Sequence, residues 1–285
     1  MSATSSRRAP ERTPYLLSLP FLLFLSAFFV VPVVQMMLLS VMPEEGAGLS
    51  FDLFASVVSD PYYHRVAIRT LRISLVTTLV SLVLAFPVAL FMSHVSPRWQ
   101  TVLVLIMVSP LLTSVVVRTL AWVVLLSQRG IINQMLQALG MEPVRLIYVE
   151  SAIVIGLTHV FFGYMVVPLM TSIRRIDGNL YAAAANLGAS RWRQHLEITL
   201  PLSLPGVLTG SLLVFILSAS AYATPSLLGG LQISMLAVEV YNQAITMFDW
   251  PEAAVVSTVL FVMIAAVVAF FTRVLEGGRR RVIFQ

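Results

Sequence analysis

Cysteine and lysine are both absent from this chain of 285 residues, because all eighteen of its basic side chains are arginines. Without cysteine there is no disulfide, no thiolate metal ligand and no cysteine nucleophile. Without lysine there is no phosphate-binding loop of the Walker A type, whose lysine reaches the β- and γ-phosphates of ATP. The chain therefore does not bind ATP in that way.

Charge is also scarce, since only 11% of the residues are charged and 58% are hydrophobic. Soluble domains carry about 25% charged residues. Apolar runs near the ~20 residues that a spanning helix needs occupy residues 15–42, 67–92, 101–126, 151–170, 204–223 and 253–271. The sequence predicts an all-α polytopic membrane protein with six transmembrane helices. Residues 1–14 form a polar tail, and residues 15–285 form a single transmembrane domain.

The arginines lie mostly on one side of this arrangement. The tails and the segments near residues 98 and 174–197 hold twelve arginines and four acids, whereas the opposite segments hold five arginines and nine acids. Cytoplasmic loops of membrane proteins carry the excess of basic residues. Both termini and the hairpin of residues 177–200 are therefore expected in the cytoplasm. Arginines at membrane boundaries favour contact with lipid and give no reason to expect a nucleic-acid partner.

One cytoplasmic segment, "AAAANLGASRWRQHLEITLP" at residues 182–201, is polar and helix-forming. An apolar stripe at helical spacing is formed by Leu180, Ala183, Ala184 and Leu187. Gly188 is placed to end this helix, and Ser190 to cap a second one. So short a hairpin cannot bury its own stripe, and small alanines suit a groove on a partner protein. A plain linker stays open as the alternative.

The same segment resembles the EAA loop of permease subunits of binding-protein-dependent ABC importers. That motif reads E-A-A, three residues, G, nine residues, I-x-L-P, and its spacing is complete here. The matching residues are Ala183, Ala184, Gly188, Ile198, Leu200 and Pro201. The glutamate of the motif is replaced by Ala182, and its loss puts the strength of docking in doubt.

The resemblance implies that this loop docks on an ATPase. The residues it assigns to docking are Leu180, Ala182, Ala183, Ala184, Asn186, Leu187, Gly188, Ala189, Ser190, Ile198, Leu200 and Pro201. The segments "VRTLAWVVLLSQRGIIN" and "ATPSLLGG" are similar to polyamine-type permeases, such as those for spermidine and putrescine. The fold implied is that of type I importers, with a core near residues 67–272.

Membership of that family also implies partners and a location. The expected partners are an ABC ATPase dimer, a second permease and a soluble periplasmic or extracellular binding protein. The family favours a different chain as the second permease, and a second copy of this chain stays open. This chain is expected in a bacterial inner membrane. ATP and magnesium would bind the ATPase, so this chain is expected to carry no cofactor and not to be an enzyme. The solute would be a polyamine or a related amine or opine-like compound.

Candidates for the translocation path or its gate are Arg118, Ser220, Tyr222, Thr224 and Pro225. An arginine inside a membrane span marks a functional site by default. Arg118 could instead reach the outer headgroups from a helix end, and both interpretations stay open. The resemblance implies that the other four residues line the outer part of the path or its gate. The simpler interpretation is that these residues begin a loop.

Gly206 and Gly210 form a G-x-x-x-G pattern that permits close helix approach. Packing within the fold is favoured, and a subunit interface is the second interpretation. The four histidines are too dispersed to predict a metal site, and there is no catalytic constellation. An ATP-independent secondary transporter or channel is the alternative function, and it predicts carboxylates inside the membrane or inverted repeats.

Overall fold

The structure is a computed structural model that describes residues 13–41 and 50–283, with side chains described for residues 18–41 and 50–273. The predicted tail, residues 1–14, lies outside this part except for its last two residues. In the described part the chain is helical and contains no strand. The helices of the first half are α1 (Thr13–Leu25), α2 (Val31–Leu39), α3 (Asp52–Ser59), α4 (Pro61–His94), α5 (Pro97–Leu112), α6 (Val115–Leu126) and α7 (Ile131–Ala138).

The second half continues the all-helical pattern with longer helices separated by short ones. Its helices are α8 (Glu150–Arg174), α9 (Gly178–Asn186), α10 (Arg191–Gln194), α11 (Leu200–Leu202), α12 (Leu204–Ala219), α13 (Ala223–Gly229), α14 (Leu236–Tyr241) and α15 (Trp250–Ile283). Five helices of the described part are long and apolar enough to cross a membrane. A sixth is added if the segments 191–202 and 204–219, bent by 65°, count as one span. The predicted class of polytopic all-α protein is confirmed.

The centre of the bundle is formed by α8, which packs along both α4 and α12. Small side chains make the approach of α12 to α8 possible. A Cβ on Gly206 would lie 2.5 Å from the Cβ of Ser172, and one on Gly210 would lie 2.8 Å from the sulfur of Met165. The G-x-x-x-G pattern therefore serves packing within the fold, as the favoured interpretation predicted.

The second span begins earlier than predicted. The predicted apolar run begins at residue 67, but α4 starts at Pro61. The side chain of Asp60 accepts a hydrogen bond from the backbone N–H of Tyr62 at 2.7 Å, and proline suits the first position of a helix. This cap extends the helix by about two turns beyond the apolar run.

One predicted span is interrupted. The run 101–126 is divided into α5 and α6, because Thr113 is extended and Ser114 is not helical. The continuous helix over this run was therefore a wrong prediction. Pro110, near this break, lacks the N–H that an unbroken helix would use. The run 204–223 forms one helix that ends at Ala219, four residues before the predicted bound.

Candidate coupling hairpin and translocation path

The first arm of the hairpin, α9, has defined ends on both sides. The side chain of Asp177 accepts a hydrogen bond from the N–H of Asn179 at 2.9 Å. At the other end, the N–H of Ala189 donates to the carbonyl of Ala184 at 3.0 Å, and that of Gly188 donates to the carbonyl of Ala185 at 2.9 Å. This pair of bonds is a Schellman motif. Gly188 has φ of +80°, so its predicted role in ending the helix is confirmed.

The second arm begins with a cap and leads back to the bundle. Ser190 accepts a hydrogen bond from the N–H of Arg193 at 3.3 Å, which confirms the predicted cap. After α10, a π-helical turn at His195–Thr199 leads into α11. The hydroxyls of Tyr181 and Thr199 lie 3.0 Å apart and join the two arms. This pair was not predicted, since two hydroxyl residues eighteen positions apart leave no periodic signal.

The outward surface of the hairpin is apolar and uncovered in the described part of the chain. The side chain of Leu187 is 89% exposed and that of Leu180 is 45% exposed. Ala182, Ala183 and Asn186 are exposed too, whereas Ala184 is half-buried. At the base of the hairpin lie the half-buried Ile198 and the exposed Leu200 and Pro201. The predicted docking residues thus divide into an exposed tip and a base that joins α12.

Arg118 lies in the first turn of α6 and is buried. Its guanidinium donates a hydrogen bond to the carbonyl of Pro110, across the break between α5 and α6. The last carbonyls of a helix have no partner within the helix and carry partial negative charge. Arg118 therefore stabilises the end of α5, and both interpretations of its role in the membrane stay predictions.

A cavity of about 290 Å³ brings Arg118 together with Tyr222 and Thr224. It lies between the α5–α6 break, the middle of α8 and the segment before α13. The hydroxyls of Thr119 and Thr224 are 3.3 Å apart, which joins α6 to α13. Three of the five predicted path residues thus share one cavity, whose other lining side chains are apolar.

The other two path candidates lie differently. Ser220 lines a separate cavity of about 600 Å³, between the end of α12, α14, α15 and α2. Tyr222 borders this cavity as well and stacks on Tyr241, with ring centroids 4.1 Å apart and planes inclined by 24°. Pro225 is buried in α13 and lines neither cavity. Tyr241 was missed, because nothing in its local sequence pattern links it to Tyr222.

Polar contacts at the end opposite to the hairpin tie the last third of the chain to the start of α4. The hydroxyl of Tyr62 donates to Glu239 at 2.6 Å. The hydroxyl of Tyr63 donates to Glu252 at 2.5 Å and accepts from the amide of Gln243 at 3.0 Å. These contacts hold α14 and the start of α15 against α4. These hydrogen bonds were not predicted from the sequence.

Proteins similar in sequence to this chain are membrane permeases. The spermidine/putrescine transport system permease protein PotB of Escherichia coli K12 is 31% identical over 216 residues, which is 75% of this chain and 78% of that protein. PotB of Haemophilus influenzae is 27% identical over 262 residues, 90% and 91% of the two chains. The inner membrane ABC transporter permease protein YdcU of E. coli K12 is 28% identical over 230 residues, 75% and 72% of the two chains. The chain matches no protein-family model.

Solved structures share the fold. A chain from the crystal structure of a bacterial alginate ABC transporter, in complex with an alginate pentasaccharide-bound periplasmic protein, matches with a TM-score of 0.73 and 19% identity over 90% of this chain and 92% of that one. A chain from a bacterial ABC transporter involved in the import of alginate matches with a TM-score of 0.71 and 18% identity over 94% and 95%. At this identity the likeness concerns the fold alone, and the predicted importer fold is confirmed.

Proposed function

Because this chain belongs to the family of polyamine-type ABC transporter permeases, we propose that it forms one half of the transmembrane path of an ATP-driven importer. A second permease, a different chain, forms the other half. The path carries a small organic solute, a polyamine or a related amine or opine-like compound, which a soluble binding protein delivers. Both termini and the hairpin of residues 177–200 face the cytoplasm of a bacterial cell, and the chain lies in the inner membrane.

The hairpin is the observation that carries this proposal. Its tip presents an exposed apolar surface around Leu187, and its turn is fixed by a Schellman motif at Gly188. Such a surface suits a groove on an ATPase dimer, whose closure would be transmitted through the base of the hairpin to α12. ATP and magnesium bind to that dimer, since this chain contains no lysine for a Walker A loop.

The solute class is supported by the names of the relatives and by the aromatic pair. The two PotB proteins are spermidine/putrescine permeases by name. Stacked Tyr222 and Tyr241 beside Ser220 offer ring faces that attract ammonium groups. Arg118 contributes positive charge to the smaller cavity, which is why carboxylated amines stay within the proposed class.

The alternative, an ATP-independent secondary transporter or channel, requires carboxylates placed for ion coupling inside the membrane. In the described part of the chain, the carboxylates lie at the ends of the long helices or in the segments between them. Glu150 and Glu252 belong to the first turns of α8 and α15. The importer is therefore the favoured function.

Uptake into proteoliposomes tests the proposal. The chain would be purified with its associated subunits, reconstituted with ATP enclosed, and supplied with binding protein and labelled spermidine, putrescine or a carboxylated amine. We expect uptake of at least one of these solutes that requires hydrolysable ATP. Uptake at the same rate without ATP would overturn the importer in favour of the secondary transporter.

A further inference from the structure

The largest cavity among those described here, about 890 Å³, lies beside the hairpin rather than in the path. One wall is the end of α4 and the other is the inner side of the hairpin. Its lining residues are Pro87, Leu90, Phe91, His94, Val95, Gly178, Tyr181, Arg191, Gln194 and His195. We refer to this cavity as the α4–hairpin cleft.

The α4 side of the cleft is apolar except for His94 at the end of the helix, and the hairpin side is polar. Leu90 and Phe91 belong to the spanning helix α4, and Phe91 is 62% exposed. The opposite side presents the hydroxyl of Tyr181 and the basic groups of Arg191 and His195. An amphipathic molecule satisfies both sides better than a purely polar or a purely apolar one.

The polar side is positive and has capacity for hydrogen bonding. No carboxylate lines the cleft, and in the described part of the chain Arg191 has no ion-pair partner. The imidazole Nδ1 atoms of His94 and His195 contact the Leu90 carbonyl at 2.8 Å and the Thr199 hydroxyl at 3.3 Å. The Nε2 atom of each ring has no hydrogen-bond partner in the described part of the chain, and it donates to a phosphate oxygen when the ring carries its second proton. Two nearby acids are engaged elsewhere, since Glu197 pairs with Arg193 and Asp177 caps α9.

Two exposed tryptophans adjoin residues near this cleft in the sequence and are typical of the depth of lipid headgroups. Trp99 follows the end of α4 closely and is 66% exposed, and Trp192 adjoins Arg191 and is 73% exposed. Exposed tryptophans of membrane proteins concentrate at the boundary between hydrocarbon and water. Basic pockets between spanning helices on the cytoplasmic side are suited to anionic headgroups.

We propose that the α4–hairpin cleft binds an anionic phospholipid, with the phosphate of its headgroup at Arg191, His94 and His195. One acyl chain lies along Leu90 and Phe91. Only the assignment to the cytoplasmic leaflet rests on the orientation proposed above. Bound lipid would connect α4 to the hairpin and so make the position of the hairpin depend on the lipid composition of the membrane.

Native mass spectrometry of the purified full chain, with whatever subunits accompany it, tests this proposal. Phosphatidylglycerol or phosphatidylcholine would be added to delipidated protein, and the retained lipid counted for the wild type, Arg191→Gln and Arg193→Gln. We expect retention of phosphatidylglycerol only, with an affinity about fivefold lower in Arg191→Gln, as expected for one basic residue near an anionic lipid. Arg193→Gln removes the same charge from the same helix but does not line the cleft, so it should retain the lipid.

Equal retention of the two lipids, or an equal loss in the two arginine variants, would overturn the proposal. Displacement of phosphatidylglycerol by millimolar inorganic phosphate would overturn the lipid assignment and indicate a free phosphate compound instead. Lipid counting needs neither ATP nor solute, so a failed transport assay and a failed lipid assay are distinguishable.

Discussion

Gly188 has a backbone conformation that side chains with a Cβ rarely adopt, since its φ is +80°. The left-handed region costs other residues roughly 1–2 kcal/mol, and a β-branched residue is especially unfavourable there. A Cβ at this position would meet no atom within 4 Å. Any effect of a substitution therefore comes from the backbone of the turn and not from a steric clash.

We predict that Gly188→Val abolishes ATP-driven uptake while membrane insertion stays normal. The strained valine would open the Schellman turn and displace the exposed tip for which we propose contact with the ATPase. Uptake by proteoliposomes and the amount of protein in the membrane fraction measure the two effects separately. Normal uptake by this variant would mean that the turn has no docking role.

Gly140 provides the matched control for this experiment. Its φ is +77°, and a Cβ there would likewise meet no atom within 4 Å. It follows the end of α7, far from the hairpin in sequence, so Gly140→Val imposes similar backbone strain elsewhere. We expect that variant to retain uptake. If both variants lose uptake equally, general destabilisation explains the result.

Arg118 stabilises the break between α5 and α6, because its guanidinium donates a hydrogen bond to the carbonyl of Pro110. We predict that Arg118→Met lowers the free energy of unfolding by about 1–3 kcal/mol, the cost of an unsatisfied buried polar group. Thermal unfolding in detergent measures this change. An unchanged melting temperature together with lost uptake would instead assign Arg118 to the path alone.

At the scale of elements, the contact between α8 and α12 depends on backbone approaching backbone. We predict that Gly206→Ala destabilises this contact, since the new Cβ would lie 2.5 Å from the Cβ of Ser172 and 2.7 Å from the carbonyl of Pro168. The amount of folded protein and its melting temperature should both fall. Gly178→Ala is the control, because a Cβ there meets no atom within 4 Å, and an equal fall in that variant would contradict the prediction.

The element boundaries show which features the sequence pattern can predict. Long apolar runs identified the spanning helices, and Gly188 and Ser190 identified the ends of the hairpin arms because glycine and serine act locally. The start of α4 at Pro61 was available from its Asp-Pro pair, an N-terminal helix signal. The interruption at Thr113 lies in a run that remains apolar, so hydropathy alone gives no break there.

Contacts between segments that are distant in sequence could not be predicted from local patterns. Tyr62 and Glu239 meet across 177 positions of the chain, and Tyr222 stacks on Tyr241 through the fold of the outer segment. Nothing in the local sequence around either partner indicates the other. Of the path candidates, Arg118, Tyr222 and Thr224 share a cavity, whereas the docking and path roles themselves stay predictions.

At the scale of the whole molecule, the first span is the least enclosed of the five candidate spans in the described part of the chain. No residue of its most apolar window within Ser18–Leu39 is buried in the chain, although α2 contacts α15. Lipid or the second permease would cover this apolar surface in the assembled importer. The apolar tip of the hairpin, at the arginine-rich end, is likewise uncovered in the described part of the chain.

Co-purification shows whether the hairpin binds an ATPase. The tagged full chain and a variant lacking residues 178–190 would be extracted in mild detergent from the native membrane, and the accompanying proteins identified by mass spectrometry. If the hairpin docks on the ATPase, an ATPase with a P-loop accompanies the full chain and is lost from the variant, while a second permease stays bound to both. Recovery of the full chain without any ATPase, or equal recovery of the ATPase with the variant, would contradict it.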